Sequence, residues 1–136
     1  MTFALDDRLA RDTFAVGDMA LSRVLLMNDA RWPWLILVPR RAGLIEIFDL
    51  DAADRMQLTE ETAHISRFLK AYAGAHKINV ATLGNIVRQF HLHVVARTAA
   101  DPAWPGPVWG FGAAVPRDRV EARTLVAAAR AGLGMV

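Results

Sequence analysis

The stretch from Asp51 to Ala73 constrains the fold most, because it is the longest segment with a helical repeat of apolar residues. Asp51 is placed to cap the helix, and Gly74 is placed to end it. The large apolar side chains recur at helical spacing and share one face, which we expect to pack in the core. These residues are Leu58, Ile65, Phe68, Leu69 and Tyr72.

The remaining apolar residues occur in short runs that are typical of β-strands. The predicted strands are two within Phe14–Met27 with a turn at Gly17-Asp18, then Trp34–Val38, Lys77–Leu83 and Gln89–Arg97. A Pro- and Gly-rich loop and a helix from about Arg117 to Ala131 follow. Because strands and helices do not alternate as βαβ units, the pattern predicts an α+β domain. We expect one domain over residues 1–136. It should have about five mainly antiparallel strands, one long helix and a C-terminal helix.

Composition narrows the class of function. The chain has 136 residues, no cysteine and a net charge of +2. It therefore has no thiolate nucleophile and no cysteine-bound metal. The arginines are scattered instead of forming a basic stripe, which argues against binding to a nucleic-acid duplex. With acids at Asp6 and Asp7, the start of the sequence lacks the basic-then-apolar order typical of a signal peptide, and no apolar run reaches the roughly 18 residues of a membrane span. We expect a cytoplasmic protein with no membrane partner.

The segment Gln89–Arg97 carries the chemistry. On a strand, alternate side chains share a face, so His91 and His93 point the same way together with Gln89, while Phe90 and its alternates face the core. The two histidine Cα atoms are then roughly 7 Å apart. Imidazole suits both nucleophilic attack and proton transfer near neutral pH.

Gln-Phe-His-Leu-His-Val-Val, residues 89–95, resembles the signature of the histidine-triad (HIT) family, His-φ-His-φ-His-φ-φ with φ apolar. The first histidine of the signature is here Gln89. Upstream, Asn79 and the pair Gly84-Asn85 resemble family positions, as do residues 35–41, Leu-Ile-Leu-Val-Pro-Arg-Arg. Downstream, residues 104–110, Trp-Pro-Gly-Pro-Val-Trp-Gly, are similar to bacterial proteins described as diadenosine-tetraphosphate-hydrolase-like.

The resemblance implies a nucleotidyl hydrolase or transferase that is a homodimer and needs no cofactor and no metal ligated by the protein. His91 would attack the α-phosphorus of a nucleotide or dinucleoside polyphosphate, and His93 would contact the phosphate or the leaving oxygen. Asn79, Gly84 and Asn85 would hold the phosphate. Asn28 stands near the position of a family acid that binds ribose hydroxyls.

Two departures from the family pattern leave other functions open. Gln89 is expected to act beside the histidines by orienting a neighbouring group through hydrogen bonds. It cannot exchange a proton, so the chain could bind nucleotides with little turnover. The histidine that many members carry after the Val-Ile-Pro-Lys strand is replaced here by the run Arg40-Arg41-Ala42-Gly43.

The His-x-His pair has two further interpretations. It could be two structural polar residues on a solvent-facing side of the sheet. It could also bind a metal, which would need a third ligand, whereas His64 and His76 lie on or just past the long helix. Arg97, on the same face, could reach a phosphate or pair with a carboxylate.

Overall fold

The computed structural model describes residues 1–135, which form a five-stranded antiparallel sheet and three α-helices. The strands are β1 (Thr13–Asp18), β2 (Ser22–Met27), β3 (Trp34–Pro39), β4 (Lys77–Ala81) and β5 (Leu92–Arg97). The helices are α1 (Asp7–Arg11), α2 (Ala52–Ala73) and α3 (Arg119–Gly132), with a short 3₁₀ turn at Ile47–Asp49. The order β1-β2-β3-β5-β4 makes β3 and β5 central. The α+β class predicted from the sequence is confirmed.

The caps predicted for the long helix are present. The Asp51 side chain accepts a hydrogen bond from the Asp54 N–H, and Gly74 ends the helix with a left-handed φ of 60°. Leu58, Ile65 and Leu69 pack in the main core. Tyr72 is 45% exposed, so the predicted apolar stripe is wrong at this residue, which lies in the last turn of α2.

The main core lies between the sheet and the helices α2 and α3. Leu35 and Leu37 of β3 and the β5 residues Leu92, Val94 and Ala96 point into it. Phe90 joins them just before β5 begins. The prediction that Phe90 and its alternates along β5 face the core is therefore confirmed.

The opposite face of the sheet is also buried, under a second apolar cluster that includes Trp32, Trp34, Ile36 and Val95. Leu9 of α1 belongs to this cluster, which places the N-terminal helix on the same face. A solvent-facing position for the two histidines, one of the interpretations left open by the sequence, is therefore wrong.

The first hairpin turns three residues later than predicted, at Ala20-Leu21. Gly17 and Asp18 belong to β1, where a bulge lies between Ala15 and Gly17. The turn is closed by a hydrogen bond from the Met19 N–H to the Ser22 carbonyl. Gly17 has an extended φ of 159°, so its backbone continues the strand.

Candidate functional site

His91 and His93 lie near the middle of the sheet, because β5 is flanked by β3 and β4. His93 is paired with Ile36 on one side and Ala81 on the other. The ring centroids of the two histidines are 4.9 Å apart, with the ring planes at 73°. Their exposed fractions are only 6% and 7%. The structure thus brings together two nearly buried imidazoles, one on an inner strand and the other just before it.

The strand begins at Leu92 and not at Gln89 as predicted. Two contacts remove the preceding residues from the ladder. The Phe90 N–H donates to the Leu44 carbonyl, and the Gln89 carbonyl oxygen lies 2.7 Å from Nδ1 of His91. His91 therefore lies immediately before the strand, and its ring contacts the main chain two residues earlier.

The contact with Gln89 defines the tautomer of His91. A carbonyl oxygen only accepts hydrogen bonds, so Nδ1 of His91 carries the hydrogen and donates it. In the neutral ring, Nε2 then has a free lone pair. This is the state that a histidine nucleophile requires.

His93 has the opposite tautomer. The indole Nε1–H of Trp34 donates to Nδ1 of His93 over 3.0 Å, in a buried contact. An indole nitrogen only donates, so Nδ1 of His93 must be unprotonated and the neutral ring carries its hydrogen on Nε2. Burial, together with the neighbouring His91, lowers the pKa of His93 from 6.5 to about 3. His93 is therefore a neutral hydrogen-bond donor at physiological pH.

The two histidines open into a cavity of about 210 Å³. One wall is formed by α1 and its continuation, with Arg8, Leu9 and Asp12. The facing wall is residues 83–87, which include the predicted phosphate-binding pair Gly84 and Asn85. Apolar side chains from both walls and from β3 make up much of the remaining lining, as is usual for a site that binds a small organic molecule. They include Leu83, Ile86, Val87 and Ile36.

Gln89, predicted to act beside the histidines, is engaged elsewhere. Its Oε1 accepts from the Asp6 N–H and its Nε2 donates to the Ala4 carbonyl, both at 2.8 Å. The side-chain amide therefore holds the N-terminal segment that leads into α1. Because α1 forms one wall of the cavity, Gln89 positions that wall.

Asn79 is on the histidine face of the sheet, opposite Val95, but outside the cavity lining. Its Oδ1 accepts from Nη1 of Arg97 at 2.8 Å. Arg97 is 1% exposed and also forms a two-pronged pair with Asp101, at 2.8 and 3.1 Å. Of the two roles that the sequence left open for Arg97, the structure shows the carboxylate pair.

Asn28 also lies outside the cavity lining. Its Oδ1 accepts from the Arg117 N–H at 2.8 Å, which ties the end of β2 to the segment leading into α3. The neighbouring Asp29 is 1% exposed and pairs with Arg31 at 2.8 Å. This corner of the molecule therefore anchors the C-terminal part of the chain.

Residues 8–100 match the model of the HIT domain, which covers more than half of the chain and includes both histidines. The chain belongs to the HIT family. No curated protein matches it.

Solved HIT structures resemble this chain over nearly its whole length. A HIT protein from Sinorhizobium meliloti 1021 is 52% identical, with a TM-score of 0.93 and 96% coverage of both chains. A histidine triad protein from Bradyrhizobium japonicum is 43% identical, with a TM-score of 0.95 and coverage of 98% of this chain and 99% of its own. One from Marinobacter aquaeolei VT8 is also 43% identical, with a TM-score of 0.95 and 98% coverage of both.

A metal-bound interpretation of the HIT histidines would need a third ligand. Within residues 1–135 no group of three or more histidine, aspartate or glutamate side chains is arranged to hold a metal. His64 lies on α2, and the exposed His76 accepts from the Ala99 N–H through Nδ1. No helix in the same residues has the length and apolar character to cross a membrane.

Sequence reasoning missed two parts of this HIT site. Trp34 was predicted to begin a strand but not to be the partner of His93, and α1 was not expected to form a wall of the cavity. The signal for Trp34 was its alternation with Ile36 and Val38, which puts it on one face of β3. No local pattern could have shown which face that was, because β3 is buried on both sides.

Proposed function

We propose that this HIT protein cleaves a bond between a nucleoside monophosphate and its leaving group, through a nucleotidyl intermediate on His91. The observation that carries the proposal is the pair of opposite tautomers at the cavity. His91 offers a free Nε2 lone pair, and His93 offers an Nε2–H donor, on one face and 4.9 Å apart between ring centroids. A nucleophile and a donor for the attacked group are both needed for transfer at phosphorus.

In the first step, Nε2 of His91 attacks the α-phosphorus and forms a P–N bond. The bond from phosphorus to the leaving oxygen breaks, and that oxygen keeps the electron pair. The imidazole of His91 becomes positively charged, with its hydrogen still on Nδ1. The Gln89 carbonyl, at 2.7 Å, stabilises this charge.

In the second step, water attacks the same phosphorus and the P–N bond breaks. The products are the nucleoside monophosphate and free His91, and the proton lost by water passes to the solvent. If another nucleophile replaces water, the same chemistry is a nucleotidyl transfer.

His93 donates from Nε2 to an oxygen of the phosphate as negative charge builds on it. Such a donor, already oriented in a dry site, costs no reorganisation during the reaction. Gly84 and Asn85 line the same cavity and are proposed to hold the phosphate. Asn79 and Asn28 are left out of this proposal, because their side-chain oxygens accept hydrogen bonds from Arg97 and Arg117 outside the cavity lining.

We propose dinucleoside polyphosphates, such as diadenosine tetraphosphate, as the substrate class. A polyphosphate chain leaves as a stable anion and needs no full proton from the enzyme. The largely apolar cavity lining, with Leu9 and Ile86 on opposite walls, suits the flat face of a base.

A homodimer is also part of the proposal. β4 is an outer strand of the sheet, so one of its edges has no neighbouring strand within residues 1–135. Val80 on β4 and Leu83 just beyond it are each 47% exposed. Light scattering on a sizing column tests this assembly: a mass near twice 15.0 kDa is expected, and a mass of one chain would contradict it.

The test of the reaction is to incubate chelator-treated protein with diadenosine tetraphosphate, quench in base and analyse the intact mass. We expect an adenylyl adduct that maps to His91, together with AMP and ATP as products. His91→Ala should lose the adduct and more than a thousandfold in rate while still binding AMP. Nucleotide binding without adduct or product would instead identify a binding protein.

A further inference from the structure

We propose that Trp34 is a positioning residue that holds His93 as a neutral donor, so that the site favours leaving groups that depart as anions over leaving amines. The second half of this inference, the preference for one class of leaving group, rests on the proposed function. Its first half concerns only two side chains and stands independently of any reaction.

The geometry of the pair carries the first half. Trp34 and His93 are 4% and 7% exposed, and the indole Nε1–H lies 3.0 Å from Nδ1 of His93. A second proton on His93 would have to bind Nδ1, where it would face the indole N–H across this distance. Two donors cannot share one hydrogen bond, so the indole opposes the imidazolium form.

The other titratable groups that line the cavity with His93 are His91, Arg8 and Asp12. The ring of His91, just before β5, contacts the ring of His93, with the centroids 4.9 Å apart. From α1 and its continuation, Arg8 and Asp12 line the same cavity, 3.9 Å apart as an ion pair. β3 contributes Trp34 and Ile36, which do not titrate.

The consequence concerns the leaving group. An amine leaves from phosphorus only after it gains a proton, and general acids contribute about 10²–10⁴-fold to such steps. His93 cannot supply that proton if it stays neutral and its Nε2–H only forms a hydrogen bond. A phosphate leaving group needs no such acid, so a phosphoanhydride suits this site better than a phosphoramidate.

The chain provides a matched control. Trp109 contacts His93 with the same geometry as Trp34: both ring pairs have centroids 5.6 Å apart, at 64° and 63° respectively. Nε1 of Trp109 is buried and has no hydrogen-bond partner within residues 1–135. Trp109→Phe and Trp34→Phe therefore make the same change next to the same imidazole, but only Trp34→Phe removes a hydrogen bond to His93.

The first experiment is nitrogen-15 NMR of the histidine rings across pH 4–8 in the intact protein. In the wild type we expect His93 to be the Nε2–H tautomer throughout, with no titration in this range. In Trp34→Phe, His93 should begin to titrate in this range, whereas in Trp109→Phe it should not. A wild-type His93 with a protonated Nδ1, or equal titrations in the two variants, overturns the role of Trp34. The wild-type spectrum alone decides this if Trp34→Phe does not fold.

The second experiment compares diadenosine tetraphosphate with an adenosine 5′-phosphoramidate that releases an alkylamine. The wild type should favour the first by at least about 100-fold in kcat/KM. Trp34→Phe should cleave the first about tenfold more slowly, the factor that one buried hydrogen bond is worth. As the pH falls toward 4, its relative rate on the phosphoramidate should rise by about tenfold or more, because a growing fraction of His93 then carries a proton.

Equal wild-type rates on the two substrates would refute the leaving-group preference. If the NMR result is as expected but neither substrate is cleaved, the proposed function and the leaving-group preference fail together. Trp34 would then still be the residue that holds His93.

Discussion

The side chain of Gln89 offers the sharpest test of how the site is built. Sequence reasoning put Gln89 beside the reacting groups, whereas the structure engages both ends of its amide with the N-terminal segment. Gln89→Met has a similar length and shape but lacks both hydrogen bonds. The main-chain carbonyl that holds His91 is unchanged in this variant.

The magnitude follows from the two bonds that are lost. Both are 2.8 Å long and join neutral groups at least partly exposed to solvent, so each is worth about 1 kcal/mol. Together they stabilise the observed position of the wall by about 2 kcal/mol, which corresponds to roughly 30-fold in the population of that position. Phe3, Leu5 and Leu9 still pack on the sheet, so we expect the segment to loosen without detaching.

The assay is steady-state kinetics with diadenosine tetraphosphate, alongside hydrogen exchange of residues 3–12. We expect KM to rise by up to about 30-fold and kcat to change less than about threefold, with faster exchange in the segment. AMP affinity should fall by the same factor as KM rises. A hundredfold loss of kcat at constant KM would refute the reasoning and place the Gln89 side chain in the chemistry.

Two further predictions concern stability. Burial alone would raise the pKa of Asp101, but hydrogen bonds from Arg97 and the Ala103 N–H outweigh it and lower the pKa from 3.8 to about 2. This contribution is complete above pH about 4 and is lost as pH falls toward 2, about 1.4 kcal/mol for each pH unit. Asp101→Asn should lower the free energy of unfolding, measured in urea at pH 7, by about 3–5 kcal/mol. At pH 2 this loss should be about 2 kcal/mol smaller, and a loss that is the same at both pH values would contradict the reasoning. Glu61→Gln should cost about 2–3 kcal/mol at pH 7, because the buried carboxylate accepts from the Leu21 and Ser22 N–H groups at 2.7 and 3.0 Å; an unchanged midpoint in urea would show that these bonds contribute nothing.

Much of the fold could be predicted from local pattern. The long helix, its Asp51 and Gly74 caps and the apolar side of the segment from Phe90 depend on periodicities that the residues themselves carry. The start of β5 could not be predicted in the same way. Phe90 leaves the ladder because its N–H meets Leu44, a residue 46 positions away in the chain.

The candidate site divides along the same line. His91 and His93 were predictable because their spacing on one strand is enough to place them on one face. The roles of Asn79 and Gln89 depend on partners that no local pattern indicates: Arg97 for the first, and residues 4 and 6 for the second. From sequence alone, a polar side chain close to a site is predicted to belong to it, although its hydrogen bonds can instead hold the segments that surround the site.

The glutamine at the first position of the HIT signature is compatible with an oriented nucleophile for a simple reason. The group that orients His91 is the main-chain carbonyl of residue 89, which is present whatever side chain stands there. Likewise, the donor that orients His93 comes from Trp34 on β3, so the orientation of this ring does not depend on a histidine after that strand. Neither departure from the family pattern therefore removes a contact that sets a tautomer. Because both contacts are kept, they support the proposed turnover over nucleotide binding alone. Gln89→Met tests this directly, since the variant changes only the side chain.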